Sequence, residues 1–553
     1  MNAWLDEFFA HYYRRRPVNA TFIGVHSYDH LLPDYSERAV EETVAEMEGL
    51  LARLGSLPTE GLTDFERLDL KLAAGYLRSQ LWEFNSSHFH RGNPSHYVGE
   101  AVFGVLGLFL TDYAPLEQRA EAAIARLEAT PALFEQARTN IRQAPRAWVE
   151  KAIDECDGAL ALLRQGIDRL ILDHGIAGGR LRAAADRACD SFASFQAWLR
   201  AELLPASNAA YACGEEAFDL LLREAHCIAL GADELLAYAQ GQLAEAEAYL
   251  VAHAADFGAA SPAEALARLE DLHPSPDGYY ASFAALWEQA RALAISKGLL
   301  TWPDFPIRYV AQPAWVRDAA PKLYFLPYRA PAAFHRPPVH DYLVPPLDRS
   351  LPEEEQERFL RAVHTEVIKL NHVVHHGGIG HHVQNWHAYR SRSRIGQVAA
   401  VDCASRIAML CGGTMAEGWA VYATGLMAEA GFLTPLEEYA EVQTRRRMCA
   451  RAVVDIQLHR GVFSLADAER YYQERGGMAA AAAHSEAVKN SMNPGAAMMY
   501  LYGCDRIREL RRTLEARMGS RFSLRHFHDT FLSYGSIPVA LIAAEMERSF
   551  GHV

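Results

Sequence analysis

Six histidines fall between His372 and His387, in the run His-Val-Val-His-His-Gly-Gly-Ile-Gly-His-His-Val-Gln-Asn-Trp-His. Uniform scatter of the chain's 24 histidines over 553 residues would put about one in a window of that length. Imidazole is the commonest metal-binding side chain and the one whose ordinary pKa lies near neutrality, so the run reads as a metal site or a proton-transfer site. Spacing limits which pairs can share an ion. His372 and His376 are four apart and can chelate on an unbroken helix. On a regular helix His375 and His381 face apart, while His375 and His382 stand about 10 Å apart along the axis. Either of those pairs needs a break or bulge, for which Gly377, Gly378 and Gly380 provide the freedom. Glu417 lies in the apolar stretch Thr414–Tyr422, where a carboxylate calls for a cationic or metal partner.

Other residue types could assist. Asp455 and His459 are four apart and share a helix face, as an ion pair or as an orienting partner for a ligand. Tyr500 and Tyr502 follow Pro494-Gly495 and could donate to a developing oxyanion, or simply pack in the core. His484, Ser485 and Glu486 are adjacent, so they do not face one another as a catalytic triad must. Arg445-Arg446-Arg447 reads as a solvated or ion-paired face that could also take a substrate carboxylate.

The elements that position these residues are mostly helical. Residues 1 to about 300 carry helical apolar spacing, as in Leu68, Leu70, Leu72, Ala73 and Leu77, and runs rich in Ala, Leu, Glu and Arg. Breaks are expected at Pro94, Pro115, Pro131, Pro145 and Pro205. Asn93 to Val105 reads as a loop. Prolines then crowd the stretch from Trp302 to about Asp348, where Ile307–Val310 and Lys322–Leu326 are expected as edge strands of a small sheet. Helix returns with Ser350 as N-cap, and Phe359, Val363, Val367, Leu370 and Val374 form one buried stripe that delivers His372, His375 and His376.

Half of the residues are hydrophobic and 22% are charged, which suits a large globular core, and the formal charge of −15 argues against nucleic-acid phosphates as partners. The eight cysteines show no CxxC pair and read as buried thiols in a reducing compartment. The N-terminus lacks the pattern of a signal peptide and no apolar run approaches membrane-spanning length, so a soluble cytoplasmic protein is expected, without membrane partners.

Several pieces, in order, resemble one family. His-His-Gly-Gly-Ile-Gly-His-His-Val-Gln at 375–384 is similar to the His-Glu-Ala-x-Pro-Gly-His-His-x-Gln signature of the DUF885 family. Glu417-Gly-Trp-Ala-Val-Tyr422, Arg451 through Asp455 to His459, Glu486, Pro494-Gly495 with Tyr500-x-x-Gly503, and Phe527-His528-Asp529 with Gly535–Pro538 match further motifs. Near the front, Pro17-x-x-Ala20-Thr21-x-x-Gly24-x-His26-x-Tyr28-Asp29 also fits. The resemblance implies one unit over residues 1–553 with a mainly α, zincin-like fold similar to M32 carboxypeptidases, a small β-sheet and a deep central cleft. Residues 1–300 would form a helical half, 301–350 a proline-rich segment with short strands, and 351–553 the half that carries the metal site.

The resemblance further implies a divalent ion, zinc first, with iron or manganese as alternatives. His375, His381 and Glu417 would hold it, with His382 the alternative to His381. His376, Tyr500 and His459 would form the catalytic set. The expected substrate is a small molecule or short peptide, cleaved at an amide. Zinc hydrolases commonly carry a Glu beside the first histidine as general base. Here His376 stands in its place, with Ile379 for the Pro, Thr424 for a Glu, Lys489-Asn490 for Arg-Tyr and Ala496 for Gln. A neutral imidazole can serve as the base, or His376 can become a ligand and turn the site to non-hydrolytic metal chemistry. A ligand-binding protein without turnover is the remaining expectation.

Overall fold

The computed structural model describes residues 2–58, 60–323, 325–404 and 406–550. They gather into two compact units. The first comprises Met1–Cys213, Gln312–Arg336 and Val401–Ala408, and the second Gly214–Ala311, Pro337–Ala400 and Met409–Val553. The division falls at Cys213 within the helical stretch 1–300, and the proline-rich segment is shared between the units. Among the described residues both units are mainly helical.

In the first unit, the Pro17–Asp29 motif is a structural knot. Pro17 opens the helix Pro17–Ile23, and Gly24 ends it at φ +97°, a left-handed conformation that suits glycine. Asp29 accepts bonds from Thr21 Oγ1 at 2.7 Å, His26 Nδ1 at 2.8 Å and the Tyr113 hydroxyl at 2.6 Å. Arg126 is fully buried and donates to the carbonyls of Leu31, Gly104 and Pro17 and to Thr21 Oγ1. A buried guanidinium is tolerated only with its donors satisfied, as here. Asn93–Val105, expected as a loop, is the helix Pro94–Leu106, with Pro94 at its start and every residue buried. Its proline marks the first turn rather than a break. Pro131 does not break the chain either, but lies inside the helix Leu116–Asn140.

The second unit holds a two-stranded parallel sheet. β1 (Ile307–Ala311) pairs with β2 (His340–Val344), with Tyr309 opposite Tyr342. Lys322–Leu326, expected as the second strand, is not one: Ala320–Lys322 is a 3-10 turn, and Tyr324 lies outside the described residues. The β2 residues carry the alternating burial expected of a half-buried strand.

Ser350 is not an N-cap. It bonds to Asp348, and the helix begins at Glu353. The stripe from Phe359 to Val374 is also not one helix. The chain breaks at Val363 and resumes as a short turn, Thr365–Val367, that runs into a π-helix, Ile368–Gly377. Of the expected stripe only Leu370 and Val374 are buried, while Phe359, Val363 and Val367 are half-buried; the break shifts the buried positions to Leu360, Ile368 and Val373.

Packing around the Gly413–Glu429 helix sets where Glu417 stands. This helix crosses the Met499–Met518 helix so closely that a Cβ on Gly418 would lie 2.5 Å from the Gly503 backbone, and one on Gly503 would lie 2.0 Å from the Thr414 carbonyl. Glycine at both positions permits this approach, and Glu417 precedes the contact by one residue.

Candidate metal centre

The π-helix answers the spacing problem posed by the histidines. It ends at Gly377, the chain turns through Gly378-Ile379-Gly380, and a new helix, His381–Ala388, begins. The turn is tight: a Cβ on Gly380 would meet the His375 carbonyl at 2.0 Å and the Val374 carbonyl at 2.6 Å, and one on Gly378 would meet the Val373 carbonyl at 2.5 Å. Two indoles pin it. Trp287 Nε1 donates to the Gly377 carbonyl at 2.6 Å and Trp419 Nε1 to the Ile379 carbonyl at 2.8 Å. Each bond contributes about 1 kcal/mol and satisfies a carbonyl that helix termination leaves over.

The turn brings His375, His376 and His381 together, each offering a ligand nitrogen within 4.8 Å of the others. The His375 and His381 rings stand perpendicular, with centroids 4.8 Å apart. Glu417 joins from its own helix, its Oε2 lying 3.7 Å from His375 Nε2 and 3.5 Å from His381 Nε2. These separations exceed ordinary hydrogen bonds. They lie within or just beyond the roughly 3.3–3.6 Å that separates neighbouring ligand atoms around a tetrahedral ion with bonds of about 2.0–2.2 Å. The side chains of His375, His381 and Glu417 are 15%, 13% and 19% exposed, so the cluster is sheltered but reachable.

The tautomer of His376 follows from its surroundings. Its Nδ1 lies 2.7 Å from the Asn371 carbonyl, to which it donates, so Nε2 keeps the lone pair. Burial holds its pKa well below the usual histidine range, and the neighbouring His375 and His381 lower it further. Burial also lowers the pKa of His375, against the pull of Glu417. For Glu417 burial pushes the carboxyl up, but the two facing imidazoles outweigh it and hold the pKa well below the carboxylate range. His375 and His376 are therefore neutral and Glu417 ionised at neutral pH, the protonation states in which these groups bind a divalent ion.

The other histidines of the run go elsewhere. His372 Nδ1 pairs with the Tyr342 hydroxyl, and its carbonyl accepts from Tyr309 at 3.3 Å, so the sheet grips the π-helix through this residue. The His372/His376 pair is thus not what the structure brings together. His382 is fully buried, bonds the Phe305 carbonyl at 2.7 Å and stacks on the Phe305 ring. His381 is the one that turns toward the cluster.

His459 and Asp455 have structural partners. His459 is fully buried, with Nε2 2.9 Å from the Asn490 carbonyl. Asp455 accepts from the backbone N–H groups of Gly495, Ala497 and Met498, clamping the Pro494-Gly495 turn. The catalytic part expected of His459 has no support in these contacts. Tyr500 lies beneath the Arg451 guanidinium, 5.0 Å from its ring centroid, and Arg451 pairs with Glu486 at 2.9 Å. The charge of Arg451 also acts on His375. His484 pairs with Glu469, apart from any triad. Of the arginine run, Arg445 and Arg446 are ion-paired to Asp505 and Glu247.

Trp287, Tyr309 and Tyr342 support the site yet carry no role in the sequence reading. They lie more than 30 residues from the cluster in single-residue contexts, and no spacing in the chain marks them. Trp419 had a signal, being part of the Glu417-Gly-Trp run.

The comparisons with known proteins agree on a family and a fold. The sequence model of a family described as "Bacterial protein of unknown function (DUF885)" matches residues 17–546. Two solved structures, each titled a "putative lipoprotein", are similar over their full lengths. The one from Shewanella oneidensis is 21% identical, with 98% of each chain covered and a TM-score of 0.79. The one from Colwellia psychrerythraea is 16% identical, with 100% of this chain and 99% of that chain covered and a TM-score of 0.79. None of the curated proteins compared matches the chain.

Proposed function

This chain belongs to the DUF885 family of bacterial proteins of unknown function, and from that premise we propose that it is a metal-dependent hydrolase of small peptides or amides. The observation that carries the reading is the convergence of His375, His376 and His381 on one another and of Glu417 on two of them. The donor set fits a divalent ion. Imidazoles with a carboxylate suit zinc first, and iron or manganese next. In this reading His375, His381 and Glu417 hold the ion. The ion, when bound, polarises a carbonyl and activates water.

The chain supplies the proton transfers and the orientation. His376, oriented by the Asn371 carbonyl on its Nδ1, accepts a proton on Nε2 from water as the oxygen attacks the amide carbon. It then returns that proton to the leaving nitrogen as the C–N bond breaks. Tyr500, packed against Arg451, is the proposed donor to the developing oxyanion. The zincin-like, M32-resembling character of the fold and a substrate cleft belong to the same proposal.

A second reading has its own observation. A backbone carbonyl on Nδ1 is also how proteins orient a metal-ligating histidine, and all three imidazoles lie close enough to share an ion. With His376 as a ligand, the site holds three imidazoles and a carboxylate, which suits iron or manganese and non-hydrolytic chemistry. Replacing His376 by Ala separates the two. Full metal content with lost amide hydrolysis supports the base, whereas lost metal supports the ligand. A wild-type protein that takes up metal yet cleaves no peptide or amide in a broad library would overturn the hydrolase reading.

A cytoplasmic location is likewise proposed. The eight cysteines form no disulfide with one another, as in a reducing compartment, and no helix among the described residues is long and apolar enough to cross a membrane. The two solved relatives are titled lipoproteins, so cell fractionation is the test. Recovery in the membrane fraction would refute it.

A further inference from the structure

A second polar feature of the same unit lies apart from the histidines. The Ala232–His253, Pro435–His459 and Met499–Met518 helices line a cavity of about 550 Å³, within the range of small-molecule sites. Its acidic groups are already engaged. Asp505 accepts both terminal nitrogens of Arg445, at 2.8 and 3.0 Å, and the Tyr238 hydroxyl at 2.5 Å. Glu509 takes Arg506 at 2.6 Å, and Glu245 takes the Gln242 amide at 3.0 Å.

Two guanidiniums of the lining make no hydrogen bond among the described residues. Arg508 makes long ion pairs, 3.8 Å to Glu441 and 3.9 Å to Asp505, beyond hydrogen-bond reach. Arg512 is exposed and has no ion-pair or hydrogen-bond partner among the described residues. The two are one turn apart on one helix and face the same side. Gly425 leaves the space that Arg508 fills, for a Cβ there would meet its Nη2 at 2.6 Å. Both keep N–H donors that the carboxylates around the cavity do not take up. Arginine forks match phosphate oxygens in both geometry and charge. Leu230 and Leu235 also line the cavity and give it an apolar part.

We infer that this cavity binds a small phosphate monoester, with the phosphate between Arg508 and Arg512 and the apolar body against Leu230 and Leu235. The inference is independent of the metal centre. Its test is titration calorimetry of the full chain with phenyl phosphate, phenol and benzoate, using wild type, Arg512→Ala, Arg508→Ala and Glu417→Gln. Arg512 is exposed and unpaired, so its replacement leaves the fold intact. The expected result is saturable binding of phenyl phosphate to wild type and Glu417→Gln, weakened about tenfold or more in each arginine variant, with phenol and benzoate much weaker. The inference is overturned by no saturable binding of phenyl phosphate at millimolar concentration, or by equal binding of benzoate. It is also overturned if binding persists unchanged in both arginine variants, including the case where it is lost only in Glu417→Gln and so belongs to the histidines.

Discussion

Replacing Glu417 by Gln tests the proposed ligand set with the least disturbance of shape. The amide fills the same volume in a helix whose register is fixed by the Gly418–Gly503 contact. What changes is charge: the carboxylate oxygen that faces His375 Nε2 at 3.7 Å and His381 Nε2 at 3.5 Å is lost. Partners that merely orient a ligand cost about 10- to 100-fold in metal affinity when removed, so a ligand itself should cost on the order of 100-fold or more, about 2.7 kcal/mol. The assay is metal content after dialysis against a weak competing chelator, beside thermal melting with and without added zinc. The wild type should retain metal and gain stability with it, while the variant should lose both effects and melt like the metal-free wild type. If Glu417→Gln keeps full occupancy while His372→Ala abolishes it, the ligand assignment is wrong and the His372/His376 pair is the better one.

Three further outcomes follow from the same structure. Gly380→Ala places a methyl against the carbonyls of Val374 and His375, so the turn must open; urea unfolding should show a loss of roughly 3 kcal/mol, with metal retention falling as well, and a wild-type midpoint would refute the turn's geometry. Arg126→Ala removes donors from the carbonyls of Leu31, Gly104 and Pro17 and from Thr21; a loss of about 3–5 kcal/mol is expected on denaturation, and a loss under 1 kcal/mol would contradict the knot described for residues 17–29. Burial pushes the Glu100 carboxyl up to about 7, against the pull of Arg16, Arg126 and Arg406. Because that folded value lies above the unfolded one, the folded state binds the extra proton, and stability falls as pH rises from about 4.5 to about 7. Glu100→Gln should match the wild type near pH 5 and exceed it by up to roughly 3 kcal/mol near pH 8; an unchanged pH profile would rule Glu100 out as its source.

The helical class, the existence of a small sheet and the gathering of His375, His381 and Glu417 were legible in the sequence. Apolar periodicity and strong helix formers carry the first, and the ordered family motifs carry the last. The need for a break between His375 and His381 was also legible, because helix geometry forbids the pair otherwise. That the break would be the end of a π-helix was not legible, since the extra residue per turn leaves no mark in composition. The helix at Pro94–Leu106 was misread as a loop because Asn-Pro and two glycines are turn signals, and only burial on every side overrides them. The second strand was placed at Lys322–Leu326 on β-propensity, whereas pairing with β1 is a long-range choice and selects His340–Val344. Of the motif residues, His459 and Asp455 show how an ordered match can report folding rather than chemistry: both hold backbone groups of the turn and helix ends around Asn490–Met498.

The central claim is that His375, His381 and Glu417 hold a divalent ion. Elemental analysis of the full chain, purified without added metal and again after reconstitution with zinc, iron or manganese, tests it most directly when read together with the Glu417→Gln variant. The account predicts about one equivalent of a single metal in the wild type and little in the variant. Less than about half an equivalent in the reconstituted wild type, or equal content in both proteins, would contradict it.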